Sequence, residues 1–165
     1  GLKAQQAKRT WAEDFAADWE TAKAYTLEVA NAMPAEKYGF KPAPEMRSFG
    51  ELMAHTAGSF YAFTGAVRGE PTPGQAPKEA TKDVVIPFMT AAFDHVAQTI
   101  AQIDDARAQE KVKLFGGRLE MPIWKVFHFL RDHTTHHRAY SLPYLRMSGV
   151  EPPRYRFASA RPSPV

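Results

Sequence analysis

The sequence predicts an all-α protein, a four-helix bundle with a long crossover between its second and third helices. Three observations carry that expectation. Four segments repeat their apolar residues with the 3.6-residue period of an amphipathic helix, and no segment of useful length alternates with the period of two of a half-buried strand. Between the segments lie connections rich in proline and glycine, which cannot continue a helix. The 165 residues are 44% hydrophobic and 24% charged, the balance of one ordinary domain spanning residues 1–165, with a core over 10–153 and a basic tail over 154–165.

The first helix is expected from about Thr10 to Met33. Trp11, Phe15, Trp19, Ala22, Thr26, Val29 and Met33 fall on one stripe, and Thr10 with Glu13 has the spacing of a capping box. Pro34, Gly39, Pro42 and Pro44 follow it. The second helix is expected from Ser48 to about Arg68. It opens on another capping box, Ser48 with Glu51, and carries Phe49, Leu52, Met53, Phe60, Phe63 and Val67. Beyond Gly69, the run Pro71-Thr72-Pro73-Gly74-Gln75-Ala76-Pro77 has turn chemistry and reads as a crossover rather than a domain linker.

The third helix is expected over roughly Asp83 to Arg107, burying Val85, Phe88, Met89, Ala92, Val96, Ile100 and Ile103, with Pro87 in its opening turns. Between Val112 and Glu120, Gly116-Gly117 separates two brief apolar pieces, a pattern shared by a small hairpin and a plain loop. The last helix is expected from Pro122 to about Met147, kinked at Pro143, before Gly149 and Pro152-Pro153 stop it. Sites in such bundles are built from side chains that point inward from different helices.

Composition narrows the chemistry. A chain of this size buries roughly 68–70% of its unfolded surface, so it needs no disulfide or structural metal to fold. The absence of cysteine removes thiolate metal sites, cysteine nucleophiles and disulfides together. A net charge of +3 is too small to indicate nucleic acid, and no nucleic-acid-binding motif is present. The excess lies in the second half, where Arg146, Arg154, Arg156 and Arg161 face only Glu151 and read as a solvated tail. No stretch reaches the 18 or so apolar residues of a membrane span. Gly1-Leu2 lacks an initiator Met, which fits a processed or engineered end; the cytoplasm is the default compartment, and export applies if a signal was removed.

Four of the six histidines fall between His128 and His137. His133 and His137 stand at i and i+4, on one helical face, where two imidazoles can grip one cation. They share the stripe of Ile123, Val126, Phe127, Leu130, Tyr140 and Tyr144, whereas His136 rotates off toward Asp132 and Phe129. Two imidazoles under-coordinate a metal, so a third ligand is expected from another helix, and His55 and His95 are the candidates. Three neutral imidazoles leave an open position on zinc, nickel, iron or manganese, where a coordinated water or thiol loses its proton near neutral pH. The H-E-x-x-H pattern of zinc proteases is absent, since Thr134 follows His133. Ser59, His55 and Asp94 could be written as a hydrolytic triad, but Ser59 lies in an ordinary helical pattern with no nucleophile elbow.

Two motifs also carry a resemblance. Ser48-Phe49-Gly50-Glu51-Leu52-Met53-Ala54-His55 resembles the second-helix signature of the DinB-like (DNA-damage-inducible) superfamily, and His133-Thr134-Thr135-His136-His137-Arg138 resembles its last-helix H-x-x-H-H-R motif. The ending from Tyr144 to Pro153 is similar to that family's as well. The resemblance implies up-down-down-up topology, a homodimer, and a divalent metal on His55, His133 and His137, which selects His55 over His95. It also implies metal-dependent transfer of a low-molecular-weight thiol such as bacillithiol, mycothiol or glutathione to an electrophilic substrate. Arg138 and Tyr140, by their proximity in sequence to His137, are the candidates for orienting an anionic cosubstrate. The alternative is a non-catalytic metal-binding or stress-associated interaction protein whose histidine site is structural. This chain departs from the pattern at Ala139-Tyr140, where relatives commonly have Gly-Gln.

Overall fold

The structure is a computed structural model and describes residues 8–71 and 76–156. Both capping boxes form. Thr10 Oγ1 accepts the Glu13 N–H at 3.2 Å while a Glu13 carboxylate oxygen accepts the Thr10 N–H at 2.9 Å, and from this cap α1 runs over Trp11–Ala32. Ser48 and Glu51 repeat the exchange at the head of α2, Phe49–Arg68, which ends on Gly69 at φ 68°, a left-handed conformation that glycine adopts without a Cβ clash. α3 covers Lys82–Ile100, and a single turn, α4, covers Asp105–Ala108. β1, Lys111–Leu114, pairs antiparallel with β2, Leu119–Pro122, with Lys111 opposite Pro122 and Leu114 opposite Leu119. α5, Ile123–Met147, is the last of the four long helices.

The third helix is therefore shorter than its apolar rhythm suggests. Asp104 competes for the backbone after Ile100: its carboxylate accepts the Arg107 N–H at 2.7 Å and caps α4 instead. Ile103 and Ala108 stay in the core on either side of that cap. Gly116 and Gly117, at φ 67° and 87°, take the tight corner that makes Val112–Glu120 a hairpin rather than a plain loop. α3 and α5 each remain one helix through Pro87 and Pro143. Both prolines are exposed, as are Asp83 and Ala139, whose carbonyls lose their partners, so water can replace the missing bonds.

Pairings between side chains give the helix directions. Lys82 Nζ, at the start of α3, donates to Asn31 O and Met33 O at the end of α1, so these two are antiparallel. Gly50 meets Ala80 beside the start of α3, and Arg68 Nε donates to Thr99 Oγ1 at the far end, so α2 and α3 are parallel. Tyr144 of α5 donates to Arg47 O just ahead of α2, while Ser59 faces His133, so α5 runs against α2. Trp11 packs on Phe127 and Arg138 reaches Thr26, so α5 runs with α1. The bundle is up-down-down-up. Parallel α2 and α3 require the connection between them to return the full length of the bundle, which is why it is long.

At the centre Trp19, Phe60 and Phe93 pack with ring centroids 4.8–5.2 Å apart, and the indole N–H donates to Phe93 O at 3.1 Å, so the buried tryptophan is satisfied. Among the described residues, no helix is long and apolar enough to cross a membrane. Gly1, Leu2, Thr72 to Gln75, Phe157 and Arg161 lie outside the described residues. The described start of the tail folds back rather than standing free: Arg156 pairs with Glu28 of α1 at 2.7 Å.

Candidate metal centre

α5 buries Leu130, Thr134, Arg138, Ser141 and Leu145. His133 and His137 flank this line, half-buried, and turn toward α2, which brings His55 to meet them. The three rings lie 4.3 Å (His133 to His137), 4.8 Å (His55 to His137) and 5.7 Å (His55 to His133) apart. One nitrogen from each lies within 4.8 Å of the others, and no carboxylate of the described residues joins the group. His133 Nε2 and His137 Nε2 face each other at 3.0 Å. Two nitrogens bonded to one cation at about 2.0–2.1 Å stand roughly 3 Å or slightly more apart, so this spacing suits a shared metal ion.

A hydroxyl orients one of the rings. Ser59 Oγ donates its only proton to Thr56 O at 2.7 Å and therefore can only accept from His133 Nδ1, 3.2 Å away. That places the proton of His133 on Nδ1 and leaves the Nε2 lone pair directed at His137. Burial first, and then the neighbouring histidines, hold His133 and His137 down to pKa values of about 4. His55 is lowered by burial and then by the charge of Arg47. All three imidazoles are thus neutral at pH 7, the state in which a histidine ligates a metal.

The group borders a cavity of about 620 Å³. His137 and His136 enter its wall from α5, Leu52 from α2, Tyr140 and Tyr144 from the last turns of α5, and Glu45, Met46 and Arg47 from the connection before α2. Tyr144 donates to Arg47 O at 3.1 Å and so pins that connection against the bundle.

The structure brings together His55, His133 and His137, and the choice left open by periodicity falls on His55. His95 lies on α3 with its ring 5.0 Å from Tyr61 and its Nε2 buried without a partner, apart from the group. Ser59 meets His133 rather than His55, and Asp94 pairs with Lys23 of α1, so no Ser-His-Asp triad forms. Two expectations need correction. Arg138 cannot orient a cosubstrate in this cavity, because it is buried against α1 with its guanidinium 4.4 Å from the Tyr25 ring centroid. Tyr140 does line the cavity but is 50% exposed rather than part of the buried stripe, since 3.6 residues per turn drift away from a straight seven-residue line. His136 is exposed and reaches the cavity wall, with its ring 4.9 Å from that of His137. Arg47 was not foreseen. It sits in an irregular stretch where apolar periodicity says nothing, and only its place just before the Ser48 cap hints at a fixed position.

The profile of the DinB superfamily matches residues 18–141, a span that contains all three histidines. The chain belongs to the DinB superfamily. Solved structures that share its fold include two DinB-like proteins. A DinB-like protein from Bacillus cereus ATCC 10987 superposes with a TM-score of 0.76 at 17% identity, over 86% of this chain and 95% of that one. A DinB-like protein from Bacillus subtilis superposes with a TM-score of 0.72 at 18% identity, over 86% and 97% of the two chains. None of the curated proteins matches. Within the DinB superfamily bundle, the departure at Ala139-Tyr140 leaves Ala139 on the exposed face and sets the Tyr140 ring in the cavity wall.

Proposed function

We propose that this DinB superfamily protein is a divalent-metal-dependent thiol S-transferase. His55, His133 and His137 hold the metal, and the adjoining cavity receives a low-molecular-weight thiol and its electrophilic partner. One observation carries the reading: His137 belongs to the three-histidine group and also lines the cavity of about 620 Å³, so a ligand there lies next to the metal-binding nitrogens. A divalent cation, when bound, supplies a Lewis acid that brings the pKa of a coordinating thiol or water toward neutrality. Three neutral imidazoles leave its charge uncompensated, which favours an anionic incoming ligand. The chain has no cysteine, so the sulfur arrives on the cosubstrate. Arg47, in the cavity wall, offers a cation to a carboxylate on that thiol, and Tyr140 supplies a ring face to the electrophile.

Metal content after dialysis, measured for wild type and for His55→Ala, His133→Ala and His137→Ala, tests the ligand set. Near-stoichiometric zinc, nickel, iron or manganese in wild type and its loss in each variant is the expected result. A wild type that retains only traces would sink the proposal. With metal bound, glutathione, mycothiol and bacillithiol are then assayed against a panel of electrophiles. Arg47→Ala should raise KM for an anionic thiol about tenfold with little change in kcat. No turnover with any thiol would leave a structural histidine site in a non-catalytic protein.

A further inference from the structure

On the opposite side of α5 from the histidines, the groove between α1 and α5 holds an unbalanced buried cation. Arg138 is only 7% exposed, yet its Nη1 donates to a neutral oxygen, Thr26 Oγ1, at 3.2 Å, and its face lies over the Tyr25 ring. No carboxylate of the described residues pairs with it, whereas the other two arginines of the groove are matched: Arg131 with Asp18 at 3.3 Å and Arg156 with Glu28 at 2.7 Å. A charge taken out of water without a counter-ion is unfavourable, and the stacked tyrosine recovers part of that loss only. Stacking occupies the face of the guanidinium and Thr26 takes one donor, while the remaining in-plane donors have no hydrogen-bond partner among the described residues and suit a fork-shaped ligand. The space they border is a cavity of about 280 Å³, lined also by Thr21, Thr135, Tyr155, Arg131 and Arg156, and by Asp18, whose carboxylate is taken up by Arg131.

We propose that this groove is a second ligand site, which binds a small oxyanion, a phosphate or a carboxylate, on the buried guanidinium of Arg138, with Arg131 and Arg156 at its rim and the Thr135 hydroxyl as a further donor. The small volume restricts the ligand to an inorganic anion or the anionic end of a larger molecule. The site is separate from the three-histidine group: Arg138 faces α1 where His137 faces α2.

Titration of the full-length protein with inorganic phosphate, and separately with acetate, at constant ionic strength set by chloride, tests this by following the arginine Nε–H resonances in NMR spectra. Saturable shifts centred on Arg138 are expected. Which anion produces them at lower concentration distinguishes phosphate from carboxylate recognition. Arg131→Gln and Arg156→Gln, both at partly exposed positions, should keep the fold and weaken binding about tenfold, the effect of one charge-assisted hydrogen bond. Arg138→Lys, which keeps the charge and loses the fork, should weaken it at least as much. The titration should be unchanged in His137→Ala. Shifts that never saturate, or saturable binding that is indifferent to all three arginine substitutions, would overturn the proposal.

Discussion

Ser59 shows how much a single proton decides. With its hydroxyl hydrogen committed to Thr56 O, it fixes His133 as the Nδ1–H tautomer and frees Nε2. Ser59→Ala should leave the half-buried helix position intact but release that ring. Metal affinity, measured by competition with a chelating dye, is expected to fall about 10- to 100-fold, the usual effect of losing a partner behind a ligating histidine; an unchanged affinity would remove Ser59 from any orienting role. The same histidines set a pH dependence. In the folded protein His133 and His137 titrate near pH 4, against 6.5 for the free side chain, so between those values the unfolded chain binds more protons than the folded one. Stability of the metal-free protein is therefore fully present above about pH 6.5 and declines as pH falls toward 4. Thermal unfolding across this window should show that decline, flattened in the His133→Ala/His137→Ala double variant. Of these residue-level features, the i, i+4 histidine pair was legible because a helix places such residues on one face whatever surrounds it. Ser59 was not, since its role depends on a residue in another helix.

Besides the side-chain contacts of Phe60 with Phe93 and Arg68 with Thr99, α2 and α3 are set in register by a close backbone approach at their starts. A Cβ at Gly50 would lie 1.9 Å from Ala80 O, at the end of the crossover, and Gly50 N–H also donates to Tyr38 O at 2.8 Å. Gly50→Ala should thus destabilise the protein by about 1–3 kcal/mol, the range for forcing a group into packed space, even though alanine favours helices in isolation. Chemical denaturation checks this, and a neutral or stabilising result would mean that the crossover can move aside. Gly58→Ala, whose Cβ would stand 3.1 Å from Ala76 Cβ, should be milder. Helix starts were readable because Thr10/Glu13 and Ser48/Glu51 are local motifs that satisfy their own backbone. The end of α3 was not, because the apolar rhythm continues to Ile103 and only the competition from Asp104 stops the helix.

Across the whole molecule, the three histidines tie α2 to α5 through side chains far apart in sequence. A metal held by them binds the folded chain and not the unfolded one, so cation at a hundredfold above Kd should add about 2.7 kcal/mol of stability. A rise in Tm on adding zinc or nickel, reversed by chelator and missing in His137→Ala, is the expected result; an unmoved Tm in wild type would argue against a preformed site. By itself the sequence determined the four helices, the composition that confines chemistry to histidine, oxygen and nitrogen groups, and the local pairing of His133 with His137. These follow from periodicity and capping, which act over one or two turns. Periodicity could not separate His55 from His95, a choice that the family resemblance made, and the structure brings His55 to the pair; only the tertiary structure decided that Arg47 borders the cavity and that Arg138 is buried on the far side of α5. Those outcomes depend on which helix faces which, and that is set by packing around Trp19, Phe60 and Phe93 and by the path of the crossover, neither of which leaves a periodic trace in the chain.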